Sequence, residues 1–144
     1  MKLDKESMDK YLIENSAYER LWAEYNKYGS LIVAVDYDDT LFNFHGTDSS
    51  YEMVKQLVRD LHSIGCKIII WTGSENINDI YVYLREQRIP WNLINENLQV
   101  NGKWASGKDS RKVYANVYID DRGGLKQVYE DLTKLIKEVK NEHN

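Results

Sequence analysis

Three aspartates lie within four positions of one another directly after an apolar run of the sequence. The run is 31–35, and Asp36, Asp38 and Asp39 follow it, with Thr40 next. Carboxylates this close destabilise one another when they are dry and unpaired, and a bound Mg²⁺ ion relieves the repulsion because it takes carboxylate oxygens as ligands. The spacing therefore predicts a divalent-metal site at the end of a buried strand.

Two later apolar runs also end in polar residues, and their chemistry is complementary. Thr72 and Gly73 follow one run, and Asp120 and Asp121 follow the other. A threonine hydroxyl and the backbone amides around a glycine suit phosphate oxygens, whereas two more acids suit a metal. A metal beside an anion site is suited to phosphoryl transfer, in which positioning and charge stabilisation dominate.

The apolar runs alternate with amphipathic patterns, so we expect strands alternating with helices. Predicted strands cover 31–35, 67–71, 91–94 and 113–119, with a short hairpin about Asn101-Gly102, and predicted helices cover 4–28, 52–64, 76–87 and 125–139. Ser49 and Glu52 have the spacing of a capping box before the second helix. This order predicts an α/β, three-layer Rossmann-like fold, a parallel sheet with helices on both faces. An amphipathic helix in 1–29 would pack on a catalytic domain formed by 30–144.

In these motifs the sequence resembles the haloacid dehalogenase superfamily of phosphotransferases. Its first motif, an apolar strand followed by D-x-D-x-T, is matched from Asp36 to Thr40, and its second, an apolar strand ending in Thr or Ser, is matched at Thr72. Its third motif is a lysine, and its fourth is an acidic pair after an apolar strand, matched by Asp120-Asp121. All four occur in the family's order.

The resemblance implies a role for each matched acid. Asp36 would be the nucleophile that forms an aspartyl-phosphate, and it would also bind Mg²⁺. Asp38 would protonate the leaving oxygen, then deprotonate the attacking water, and give the metal its backbone carbonyl. Asp120 would complete the metal site, and Asp121 would support it or orient the lysine of the third motif.

The resemblance also implies a phosphate-binding set. Thr72 and Gly73 would bind the transferring phosphoryl group, and Thr40 would support the first motif. Two lysines, Lys112 and Lys108, could fill the remaining catalytic and phosphate-binding position. We favour Lys112 because a position near a strand is better fixed than one in a loop. Asp39 is interpreted as a loop-capping residue rather than as a third catalytic acid.

The spacing of the motifs leaves no room for a cap domain, the insertion with which superfamily members usually choose substrates. Residues 41–71 accommodate a loop and one helix, and residues 75–107 accommodate a helix, a short strand and a small hairpin. The sequence therefore looks like a small capless member.

The composition of the sequence excludes several classes of protein. The 144 residues are 42% hydrophobic and carry a formal net charge of −4, which predicts one globular domain without a broad nucleic-acid surface. One cysteine, Cys66, excludes an internal disulfide and suits a reducing compartment. The charged start lacks the apolar stretch of a signal peptide, and no apolar run is long enough for a bilayer. We expect a cytoplasmic protein without a membrane partner.

The favoured function is a Mg²⁺-dependent phosphatase for a nucleotide or another small phosphorylated metabolite. Alternative substrates are a nucleic-acid end, which is not favoured because the basic cluster is modest, or a phosphoprotein. A non-catalytic binding protein on the same fold is the second alternative. A response-regulator receiver is disfavoured because its lysine follows the acids, whereas here the lysines precede Asp120. A homo-oligomer also stays open.

Overall fold

The computed structural model describes residues 9–47, 49–100, 103–104 and 113–143. Its strands are β1 (Ile32–Asp36), β2 (Lys67–Trp71), β3 (Leu93–Ile94), β4 (Gln99–Val100), β5 (Lys103–Trp104) and β6 (Val117–Ile119). Four of them form one parallel sheet in the order β3-β2-β1-β6, and β4 and β5 pair antiparallel. The predicted short hairpin is confirmed by this β4–β5 pair.

Four helices connect and flank these strands. They are α1 (Ser16–Tyr28), α2 (Glu52–Ser63), α3 (Ile77–Glu86) and α4 (Leu125–Glu142). Along the chain, α2 connects β1 to β2 and α3 connects β2 to β3, and each of these strand pairs is adjacent and parallel in the sheet, as the alternating pattern predicts. The predicted class is therefore confirmed: the chain is an α/β protein whose parallel sheet is flanked by helices, consistent with a three-layer Rossmann-like fold.

The N-terminal helix is shorter than predicted. Lys10–Leu12 form a single 3₁₀ turn, and α1 begins only at Ser16 because Asn15 has a left-handed backbone (φ 64°) that interrupts the helix. Gly29, also left-handed at φ 71°, ends α1 as predicted, and its N–H donates to the Tyr25 carbonyl. Residues 4–8 of the predicted helix lie outside the described residues.

The predicted capping box does not form. Residue Tyr51, at φ 56°, precedes α2 without a side-chain cap, and the Ser49 hydroxyl accepts a hydrogen bond from the Tyr51 N–H at 3.3 Å. The Glu52 carboxylate instead meets Arg59 at 2.7 Å. The pattern was wrong here because α2 begins at Glu52, so Ser49 is not its N-cap, and the glutamate pairs with Arg59, about two turns along the helix.

Two strands are shorter than predicted because asparagine side chains take their places in the sheet. Asn92 accepts a hydrogen bond from the Ile68 N–H at 2.7 Å, before β3 begins. Asn116 accepts one from the Ile32 N–H at 2.6 Å, before β6 begins. In each case a side-chain amide oxygen substitutes for the carbonyl that a longer strand would offer.

The helices pack against one face of the sheet. Buried residues of all four helices form a single cluster with alternate strand residues, which include Val33, Val35, Ile68, Ile70 and Ile119. The opposite face has a second cluster built on Ala34, Ile69 and Val113, with Ala115 packed against it. Among the described residues, the buried side chains of that second face belong to strands and to the segment ahead of β6, so the predicted helices are seen on the first face alone.

The described connections leave the carboxyl edge of the sheet without a large insertion. After β1 comes a loop and α2, and after β2 come α3 and β3, so none of the described residues forms a cap domain. None of the described helices combines the length and apolar content that crossing a membrane requires.

Candidate active site

Three carboxylates converge where two neighbouring strands end. Asp36 is the last residue of β1, and Asp120 and Asp121 directly follow β6, its partner in the sheet. One carboxylate oxygen from each of the three lies within 4.8 Å of the others. Chain direction alone brings these acids together, because β1 and β6 are parallel and end at the same level.

Thr40 holds two of these acids in place. Its side chain is fully buried, and its hydroxyl oxygen lies 3.2 Å from Oδ2 of Asp36 and 3.3 Å from Oδ1 of Asp121. The same oxygen accepts a hydrogen bond from the Asp121 N–H at 3.1 Å. A hydroxyl has one proton to donate, so it serves one carboxylate at a time while its lone pairs fix the Asp121 backbone.

Asp120 is fixed by the turn that follows it. Its Oδ1 accepts from the Arg122 N–H at 3.0 Å, and its carbonyl accepts from the Gly123 N–H at 3.0 Å. A Cβ atom at Gly123 would lie 3.3 Å from the Cβ of Asp120, so glycine allows this close turn. The carboxylate is therefore positioned before any ligand binds.

The crowding is visible in the acidity of Asp36. Burial, hydrogen bonding with Asp121 and the charge of Asp120 together raise the pKa of the Asp36 carboxyl to about 7. Asp36 and Asp120 are half-buried and Asp121 is exposed, and carboxylate oxygens this close together are the donor set that a hard divalent cation prefers. The residues present therefore fit Mg²⁺.

The raised pKa of Asp36 predicts how stability depends on pH without metal. The unfolded carboxyl loses its proton near its usual pKa of 3.8, whereas the folded one keeps it to about 7, so rising pH favours unfolding across that window. In EDTA, Asp36→Asn should become more stable than wild type as pH rises from 4 to 7, with a constant difference above 7. Urea unfolding at several pH values measures this; a pH-independent difference would contradict it.

A second group lies at the end of β2. The Thr72 hydroxyl accepts from the Ser74 N–H at 3.1 Å and lies 3.5 Å from Oδ2 of Asp38, to which it donates. Gly73, which lies between Thr72 and Ser74 in the sequence, is exposed. Asp38, the predicted general acid and base, thus faces Thr72, the predicted phosphate-binding residue.

The structure therefore divides the predicted site residues into two groups. The predicted metal ligands Asp36 and Asp120 lie together with Asp121, while the Asp38 side chain lies beside Thr72. This division is compatible with the resemblance, in which Asp38 offers the metal its backbone carbonyl and keeps its carboxyl for proton transfer. Lys108 and Lys112 lie outside the described residues.

Asn95 is a site residue that the sequence analysis did not single out. Its Oδ1 accepts from the Thr72 N–H and its Nδ2 donates to the Thr72 carbonyl, both at 2.8 Å. Its backbone is left-handed (φ 54°), a conformation that asparagine tolerates better than most residues. Its position directly after a short strand could have indicated a site residue, but an uncharged side chain does not stand out among the acids that end the other strands.

Asp39 belongs to the loop. Its backbone is left-handed (φ 58°), and its carboxylate contacts the His45 ring, accepts from the His45 N–H at 3.3 Å and accepts from the Tyr51 hydroxyl at 3.4 Å. Hydrogen bonding to His45 lowers the pKa of Asp39. These contacts support its interpretation as a loop-capping residue.

Comparison with known proteins supports the description of the fold. No family model and no curated protein matches the chain. A solved structure of a conserved protein from Bacteroides thetaiotaomicron is similar, with a TM-score of 0.56 and 19% identity over 73% of this chain and 91% of that one. At this identity the likeness shows the shared fold alone. The class that follows is a Rossmann-like α/β protein with an acidic cluster at the carboxyl edge of its sheet.

Proposed function

We propose that the protein is a Mg²⁺-dependent phosphatase that hydrolyses a phosphomonoester through an aspartyl-phosphate on Asp36. The observation that carries the proposal is the division of the site. Asp36, Asp120 and Asp121 form a metal-sized cluster, and Asp38 lies against Thr72 at the end of the neighbouring strand. The resemblance to the haloacid dehalogenase superfamily supports the same assignment.

Each residue group has a task in this reaction. An Asp36 oxygen attacks phosphorus, and Asp38 gives its proton to the leaving oxygen as the bond between phosphorus and that oxygen breaks. Asp38 then takes a proton from the water that attacks the phosphoryl group, and the Asp36 carboxylate is released. Thr72 and the Gly73 amide orient the phosphoryl oxygens. Mg²⁺ held by Asp36, Asp120 and Asp121 would offset the charge of the acids and of the phosphate.

Two alternatives share these residues. A larger substrate, a nucleic-acid end or a phosphoprotein, is compatible with the lack of a cap among the described residues. A binding protein that has kept the site without turnover is the second. Small phosphorylated metabolites remain favoured because the site region is acidic, and an acidic surface repels polynucleotide.

We propose a reducing compartment such as the cytoplasm because the single cysteine of the sequence, Cys66, forms no internal disulfide. The side chain is 2% exposed, and burial raises its pKa to about 11. A thiol that is both inaccessible and protonated is stable without a disulfide partner.

The proposed function predicts phosphate release that depends on Mg²⁺. We expect turnover of at least one small phosphomonoester in a panel of metabolites, nucleotides and an aryl phosphate, and complete loss of turnover in EDTA. A phosphorylated oligonucleotide and a phosphopeptide in the same panel test the larger substrates. Turnover that persists in EDTA would contradict the metal assignment, and no turnover of any compound would favour the binding protein.

A further inference from the structure

A cavity of about 430 Å³ opens beside the candidate active site. Asp38, Gly73 and Ser74 form one part of its wall, and four aromatic side chains form another, namely Tyr37, Phe42, Phe44 and Tyr83. Its volume is in the range of small-molecule sites, roughly 300–1000 Å³. The cavity is thus continuous with residues to which the proposed function gives chemical tasks.

Three of the four rings form a rigid wall. The Tyr37 and Phe42 rings stack with centroids 5.3 Å apart and an interplanar angle of 9°. Tyr83 meets both rings edge-on, at 5.8 and 5.1 Å, and its hydroxyl donates to the Leu41 carbonyl at 2.8 Å. This cluster is locked by its own contacts, so the wall exists without a ligand.

Phe44 differs from the other three rings. Its side chain also lines the cavity, but the residue is 62% exposed. The Phe44 ring meets the His45 ring at an interplanar angle of 89°, with centroids 5.0 Å apart, and its exposed surface remains accessible for a second planar group to stack on. The cavity therefore has a free binding surface as well as a fixed wall.

The position of Asp38 indicates which part of a substrate enters the cavity. In the proposed reaction, Asp38 protonates the leaving oxygen, so the leaving group must lie on the Asp38 side of the phosphoryl group. The cavity has Asp38 in its wall and is therefore the place for that leaving group. This step rests on the proposed function.

The polar residues of the cavity limit the chemistry of the leaving group. Asp79 lies in the wall and accepts from the Asn76 amide at 2.5 Å, and Asp38 adds a second carboxyl. The Asp79 carboxylate disfavours an anionic leaving group, and carboxyl oxygens accept readily from hydroxyls. The fitting group is uncharged, carries hydroxyls and has a flat aromatic face.

We propose that this cavity binds the nucleoside of a nucleoside monophosphate, with the base stacked on Phe44. A nucleoside supplies a planar base for the aromatic wall and sugar hydroxyls for the acids. An aliphatic phosphate would leave the aromatic surface uncovered, and a di- or triphosphate would bring further negative charge close to the Asp79 carboxylate.

The test compares kcat/KM between substrates, in the wild type and in variants of the exposed residue Phe44. Wild-type kcat/KM, with Mg²⁺ present, should be higher for adenosine and uridine 5′-monophosphates than for glycerol 3-phosphate. Phe44→Ala should lower kcat/KM for the nucleotides by about tenfold, mainly through KM, because a base stacked on an aromatic ring contributes that much. It should lower kcat/KM for glycerol 3-phosphate far less than for the nucleotides, because glycerol has no ring to stack, and Phe44→Trp should restore the nucleotide preference.

A matched control separates stacking from a general loss of surface aromatics. Tyr28 is 66% exposed at the end of α1, before the amino end of β1, so Tyr28→Ala should leave every substrate unaffected. p-Nitrophenyl phosphate provides a bare aryl group. An equal effect of Phe44→Ala on this compound and on the nucleotides would overturn the assignment to a nucleoside.

The failure of this inference differs from the failure of the proposed function. Mg²⁺-dependent turnover with no nucleotide preference and no effect of Phe44→Ala would overturn the nucleoside site and keep the phosphatase. If no compound is turned over, calorimetric binding of adenosine 5′-monophosphate decides. Binding that Phe44→Ala weakens would support the nucleoside site without hydrolysis, and absence of binding would overturn it.

Discussion

Asp36→Asn should reduce phosphatase turnover by about 10⁴-fold or more, the scale on which loss of a catalytic nucleophile acts. The amide cannot form the acyl phosphate through a carboxylate oxygen, and it also removes a charged oxygen from the cluster with Asp120 and Asp121. In EDTA at pH 8 the variant should nevertheless be more stable than wild type, because one of three crowded charges is gone. Steady-state kinetics and thermal unfolding measure the two effects.

The loop offers a matched control for this experiment. Asp39→Asn removes a carboxylate only three positions away, but one that contacts His45 and Tyr51 instead of the acidic cluster. We expect its turnover to stay near that of wild type. An Asp36 variant that retains activity, or an Asp39 variant that loses as much, would contradict the assignment of the nucleophile.

Thr40→Val should weaken both the fold and the metal site. The substitution keeps the shape of the side chain but leaves the Asp121 N–H without its 3.1 Å acceptor and Asp36 without its 3.2 Å donor. Because the position is fully buried, we expect the free energy of unfolding to fall by about 1–3 kcal/mol. Mg²⁺ affinity should fall by about 10- to 100-fold, as for other groups that orient metal ligands.

Thr40→Ser provides the comparison, since it keeps the hydroxyl and loses one methyl group. It should retain most of the Mg²⁺ affinity while losing some stability to the small cavity it creates. Urea unfolding in EDTA and calorimetric Mg²⁺ titration separate the two quantities. Equal Mg²⁺ affinities in the valine and serine variants would show that the hydroxyl does not position Asp36 and Asp121.

The sequence predicted the elements whose pattern is local. The buried strands β1 and β2 and the amphipathic stripe of α4 follow from apolar spacing alone, and the acids that end strands follow from chain direction. The capping box failed because Glu52 had another partner in Arg59, which an isolated four-residue motif does not reveal.

The details of the site depend on contacts between distant parts of the chain. Thr40 and Asp121 are 81 positions apart, and Asn95 and Thr72 are 23 apart. Their meeting requires the path of two loops, including left-handed residues at Asp39 and Asn95 that no apolar period encodes. For this reason the sequence suggested which acids gather, but not that a threonine bridges two of them or that an asparagine fixes Thr72.

The asparagines beside β3 also bear on how the sheet meets other chains. β3 is an edge strand of two residues, and β6, at the opposite edge, has three. The Asn92 and Asn95 main-chain amides donate to the Ile68 and Ile70 carbonyls, so hydrogen bonding to β2 continues beyond the short strand. A long open edge invites strand addition and aggregation, whereas a very short one gives an incoming strand little to pair with. The inner strands are thus satisfied at a sheet edge that offers a poor template for self-association.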